Sequence, residues 1–142
     1  MKPLKIVLDT NILVSALRSR LGASHRLLLA VGDNRFQIQL SVSLFLEYEA
    51  AIKNPNCGIK LSPAEKDDIL DYLCSEARHC KVHYLWRPCL KDPGDDMVLE
   101  VAVASEASGI VTFNRRDFKG IEAWGLKIYS PQEILKILGG LK

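Results

Sequence analysis

Apolar positions along the chain switch repeatedly between two spacings, short compact runs and a recurrence every third or fourth residue. KIVLD (5–9) is a compact β-branched run closed by Asp-Thr-Asn, the pattern of a strand buried on both faces. In TNILVSALRS the period changes, and Ile12, Leu13, Ala16 and Leu17 recur at helical spacing. Gly22 precedes a second helical run, ASHRLLLAVG (23–32), in which Gly32 stands as the C-cap. FQIQLS (36–41) alternates as a short strand, and Ser41 or Ser43 caps the helix LFLEYEAAIKN (44–54) that follows. After the loop NPNCG (54–58), SPAEKDDILDYLCSEAR (62–78) opens with an N-cap serine, an N1 proline and a capping-box glutamate, Glu65. KVHYLW (81–86) predicts a strand and RPCLKDPG a proline-punctuated loop. Residues 95–107 read as a helix with Ala and Val facing inward, GIVTF (109–113) as a strand, and LKIYS (126–130) as the last strand. Ser130, Pro131 and Glu133 repeat the capping signature before the closing helix QEILKIL.

Five strands alternating with helices predict an α/β fold, a central and mainly parallel five-stranded sheet flanked by helices. No linker or internal repeat divides the chain, so residues 1–142 are expected to form one domain, long enough to bury a proper core. With 48% apolar and 25% charged residues the composition is that of a globular protein. A net charge of +2 is too small to point to nucleic acid by itself. MKPLKIVLDTN lacks the long apolar region of a signal peptide, and no stretch approaches the roughly 18 apolar residues of a membrane span. A cytoplasmic protein without a membrane partner is expected. The four cysteines include no CxxC pair, and the spacings among Cys74, His79, Cys80, His83 and Cys89 match no common zinc motif.

In open α/β sheets function gathers where strands end and helices begin, and the acids fall there. Asp9 ends the first strand, and Glu47 lies in the first turns of the helix after the second. KDPGDD (91–96) puts Asp92, Asp95 and Asp96 just ahead of an apolar helix, and Asn114 and Asp117 follow the strand IVTF. Singly, each has an ordinary explanation. Asp9 suits an N-cap, Asp95 and Asp96 suit the positive end of a helix dipole, and Asp117 suits a turn or an ion pair with Arg115 or Arg116. Jointly they need more, because carboxylates converging on one point repel unless a divalent cation lies among them. Mg²⁺ and Mn²⁺, hard ions with oxygen ligands, suit that role. No GxSxG, P-loop, HExxH or GxGxxG motif offers another chemistry.

IVLDTNILVSAL, the helix with Glu47, DPGDDMVLEVAVA and IVTFNRRDF…GLKIYSPQEIL resemble, in order, the successive motifs of PIN-domain ribonucleases, from Ile6 to Leu138. Within that family the chain is similar to the single-domain VapC-like toxins of toxin–antitoxin pairs. The resemblance implies an acidic pocket that binds Mg²⁺ or Mn²⁺ and cuts RNA phosphodiesters, a cognate antitoxin as partner, and a homodimer. By position it implies Asp9, Glu47, Asp96 and Asp117 as the catalytic and metal-binding acids. Asn11 and Thr112 match the polar residues that support the pocket, while Asp92 and Asp95 stand as alternatives or neighbours to Asp96. Many members carry an aspartate where this chain has Asn114, which adds no charge but can still bond a ligand water. Arg115, Arg116 and Lys119 border the pocket and are candidates to neutralise RNA phosphates. Trp86 and Trp124 read as packing residues rather than base-stacking ones.

Two other classes compete with this resemblance. A PIN-fold protein without catalysis, acting as an RNA-binding or regulatory module, is compatible with Asn114. A haloacid-dehalogenase-like phosphatase requires a second aspartate two after the first, where Asn11 stands, and a receiver domain requires an aspartate ending its third strand.

Overall fold

The computed structural model describes residues 3–33, 35–82 and 93–139, without the side chains of 93–96. Its strands are β1 (Leu4–Leu8), β2 (Phe36–Leu40), β3 (Arg78–His79), β4 (Gly109–Val111) and β5 (Lys127–Tyr129). They form one sheet in the order β3-β2-β1-β4-β5, with every pairing parallel. The helices are α1 (Thr10–Arg18), α2 (Ala23–Leu29), α3 (Val42–Lys53), α4 (Pro63–Glu76), α5 (Pro93–Ala104) and α6 (Pro131–Ile137). Two 3-10 turns, Arg115–Phe118 and Ile121–Trp124, connect β4 to β5.

The compact run at the N-terminus becomes the central strand because helices cover both of its faces. Ile6, Val7 and Leu8 are all but inaccessible. Buried stripes at helical spacing dock the layers: Ile12, Leu13 and Ala16 on α1, Leu44, Tyr48 and Ile52 on α3, and Val98, Leu99, Val101 and Ala102 on α5. Both capping boxes form, Ser62 with Glu65 and Ser130 with Glu133, and Ser41 rather than Ser43 caps α3 by accepting from Leu44 N at 3.1 Å. Gly109 is required by close approach, since a Cβ there would lie 2.3 Å from Lys127 O on the neighbouring strand.

Two elements differ from the sequence expectation. The strand expected over 81–86 is absent from its described part, as Lys81 and Val82 belong to no strand and 83–86 lie outside the described residues. The edge strand is instead Arg78–His79, which pairs with Gln39 and Leu40. Helix α4 accordingly stops at Glu76, and α2 stops at Leu29, short of Gly32, which has φ +98° in the turn beyond. Each time the apolar pattern runs past the last helical hydrogen bond, because a strand or turn competes for the same backbone groups.

Candidate active site

The order of strands decides where the site lies. From β1 the chain steps to β2 and β3 on one side, then returns to β4 and β5 on the other. The order therefore reverses between β1 and β4, and the crevice beyond their C-terminal ends is the place where such sheets bind ligands. Leu8 pairs with Val111, so Asp9 and Thr112 leave the sheet side by side.

Asp9 occupies the N-cap position of α1, yet its side chain makes no capping hydrogen bond. Its Oδ2 instead accepts from Thr112 Oγ1 at 2.6 Å, across 103 residues of sequence, with both residues buried. The Thr112 hydroxyl has one proton, given to Asp9, and it accepts from Asn114 N at 3.0 Å. Thr112 N donates to Tyr129 O at 3.0 Å, which ties the same residue to β5. A carboxylate is only 7% exposed here and held by a buried donor, an arrangement that helix capping does not call for.

Two further candidates lie on the helices that follow β1 and β2. Asn11 Oδ1 is buried and has no hydrogen-bond partner among the described residues. Glu47, in the second turn of α3, is half-buried. Tyr48, beside it, is fully buried, and its hydroxyl donates to Leu8 O at 2.5 Å. Burial, with the charge of Asp9 adding to it, pushes the Tyr48 phenol far above its usual pKa, so it stays protonated and a donor.

The remaining candidates divide. Positions 95 and 96 fall in the first turn of α5, which begins at Pro93, but their side chains lie outside the described residues, as does Asp92 altogether. Asp117 and Asn114 are exposed on the turn after β4, where Phe113, Asn114, Arg115, Arg116 and Asp117 line an open depression. Among the described residues no three His, Cys, Asp or Glu side chains form a group arranged to hold a metal ion, so Asp9, Glu47 and Asp117 do not make one by themselves.

All three cations are exposed, and Arg115 is in addition engaged within the chain. Its guanidinium donates to Ile128 O at 3.2 Å and pairs with Glu133, the capping glutamate of α6. Glu133 itself is held below the usual carboxylate range, first by the Ser130 backbone N–H and further by the Ser130 hydroxyl and Arg115.

Two residues in this region escaped the reading of the sequence. Tyr48 is visible there only as one member of the stripe Leu44, Tyr48, Ile52, a spacing that says core and nothing of its hydroxyl. Glu100, 6% exposed on α5, is an acid inside an apolar run, a signal that was present and passed over.

The PIN domain family model matches residues 5–116, well over half of the chain. A solved structure of VapBC2 from Rickettsia felis, bound to a DNA fragment from their promoter, is similar in fold. Its TM-score is 0.58 at 18% sequence identity, covering 89% of this chain and 100% of that one. No curated protein sequence matches the chain significantly. No helix among the described residues is long and apolar enough to cross a membrane.

Proposed function

The chain belongs to the PIN domain family, and from that premise we propose that it is a divalent-metal-dependent endoribonuclease, the VapC-like toxin of a toxin–antitoxin pair. The observation that carries the reading is the buried Asp9–Thr112 pair at the point where strand order reverses. The donors fit a hard cation: the Asp9 carboxylate, the unpartnered Asn11 Oδ1 and the half-buried Glu47 carboxylate are all oxygens, the ligand type that Mg²⁺ and Mn²⁺ take.

In this reading Asp9 is the anchoring ligand, and Asp96, with Asp95 as its neighbour in the first turn of α5, supplies the second carboxylate. Such a cation, when bound, supplies charge stabilisation at a phosphodiester oxygen and a lowered pKa for a ligand water. Thr112 fixes the Asp9 carboxylate by donating to Oδ2. Glu47 and Asp117 would hold ligand waters, one of them orienting the attacking one, and the Asn114 amide would bond another. Arg116 and Lys119 receive RNA phosphates from the exposed side. The similarity of fold to a VapBC2 structure supports an antitoxin as partner.

Incubation of structured and single-stranded RNAs with Mg²⁺, Mn²⁺ or EDTA tests the enzyme. Cleavage that needs the metal and is lost in Asp9→Asn is expected; cleavage undiminished in EDTA or in that variant would overturn it. Growth arrest on expression, relieved by the product of the adjacent reading frame, tests the toxin assignment. A second reading, an RNA-binding PIN module without catalysis, is favoured by Asn114 standing where many members have an acid. It requires that Mn²⁺ titration show no binding that depends on Asp9.

A further inference from the structure

Asp9 is held by more than Thr112. The peptide unit joining Leu8 to Asp9 is planar, so its orientation is set once its two polar groups are fixed. Asp9 N donates to Val111 O at 2.9 Å on one edge, and Leu8 O accepts from the Tyr48 hydroxyl at 2.5 Å on the other. With that plane pinned from β4 and from α3, and Asp9 O on the other side accepting from Ile12 N at 3.0 Å, the backbone flanking the Asp9 side chain is held, and Thr112 Oγ1 holds its carboxylate.

The hydroxyl is not needed for packing. Tyr48 is 1% exposed in the stripe that docks α3, a place where phenylalanine fills the same space without a polar atom to desolvate. Its partner is the carbonyl at the end of the central strand, one residue before the buried acid. Tyr48 also follows Glu47 directly, so the same hydrogen bond ties the helix carrying one acid to the strand carrying the other.

We propose that Tyr48 is a positioning residue of the acidic site, its hydroxyl fixing the Leu8–Asp9 peptide and the helix of Glu47 relative to each other. This rests on the metal-site reading above. Tyr72 supplies a matched control, since its hydroxyl also donates to a backbone carbonyl, Val31 O at 2.6 Å, just ahead of the start of β2 and away from the crevice.

The test compares Tyr48→Phe and Tyr72→Phe in the full chain, each retaining the ring, by circular dichroism, melting temperature, Mn²⁺ titration without RNA, and steady-state cleavage. Tyr48→Phe is expected to weaken Mn²⁺ binding by about tenfold, the usual scale for residues that orient ligands, and to lower kcat with KM for RNA unchanged. Tyr72→Phe is expected to bind Mn²⁺ as the wild type does, even where it melts earlier. Wild-type Mn²⁺ affinity in Tyr48→Phe overturns the inference alone, as does an equal loss of affinity in both variants. Absence of Mn²⁺ binding in the wild type overturns the metal-site reading and this inference together.

Discussion

Thr112→Val keeps the branched shape of a residue that is 1% exposed and removes one hydroxyl with two partners. The bond to Asp9 involves an ionised acceptor in a buried setting, worth about 1.5–3 kcal/mol when a partner is removed. The added methyl returns up to about 0.8 kcal/mol by burial. Asn114 is exposed, so its freed N–H rebinds water at little cost. The net expectation is a loss of roughly 1–2 kcal/mol, or about 3–6 °C in Tm for a chain of this size. Urea unfolding at pH 7 in EDTA measures it without any contribution from bound metal. Thr112→Ser, which restores the donor and drops the methyl, should recover part of the loss and most of the Mn²⁺ affinity. A valine variant as stable as the wild type, with serine no better, would refute the claim that this hydroxyl holds the buried carboxylate.

Other outcomes follow from the same contacts. Gly109→Ala places a Cβ 2.3 Å from Lys127 O, so β5 must move away from β4, and a loss of at least about 2 kcal/mol in urea unfolding is expected. Arg115→Ala should leave the salt dependence of RNA binding unchanged because that guanidinium is engaged with Ile128 O and Glu133, whereas Arg116→Ala should reduce the slope by about one. Filter binding at several salt concentrations separates the two. Glu133 has a folded pKa below its ordinary value of 4.5, so its stabilisation is present above that value and is lost as pH falls through the folded one. Thermal melts of Glu133→Gln should therefore lie below the wild type at pH 7 and converge with it in acid; a gap that widens in acid would contradict the sign.

Elements that rest on neighbours in sequence were legible. The capping boxes at Ser62 and Ser130, the fully buried run Ile6–Leu8 and the inward faces of α1 and α5 are all written within one turn or one strand. Where two local structures compete for the same residues, the pattern misplaced the boundary: Arg78 reads as the end of a helix and begins an edge strand, because pairing with β2 lies outside its window. Asp9 at the end of β1 was legible too, as was the fall of positions 95 and 96 in the first turn of a helix. Whether they meet was not.

Sequence alone determined the class of fold, an acid at the end of the central strand and the family motifs around it. Tertiary structure decided what holds that acid. As an N-cap or as an acceptor from a distant buried donor Asp9 has the same local sequence, and only the parallel pairing of β1 with β4 brings the Thr112 hydroxyl to its carboxylate. The Tyr48 hydroxyl reaches Leu8 O for a related reason, 40 residues along the chain, through the packing of α3 on the sheet. Local periodicity encodes which face of an element is apolar; the order in which elements assemble determines which polar atoms those faces bring within hydrogen-bond reach.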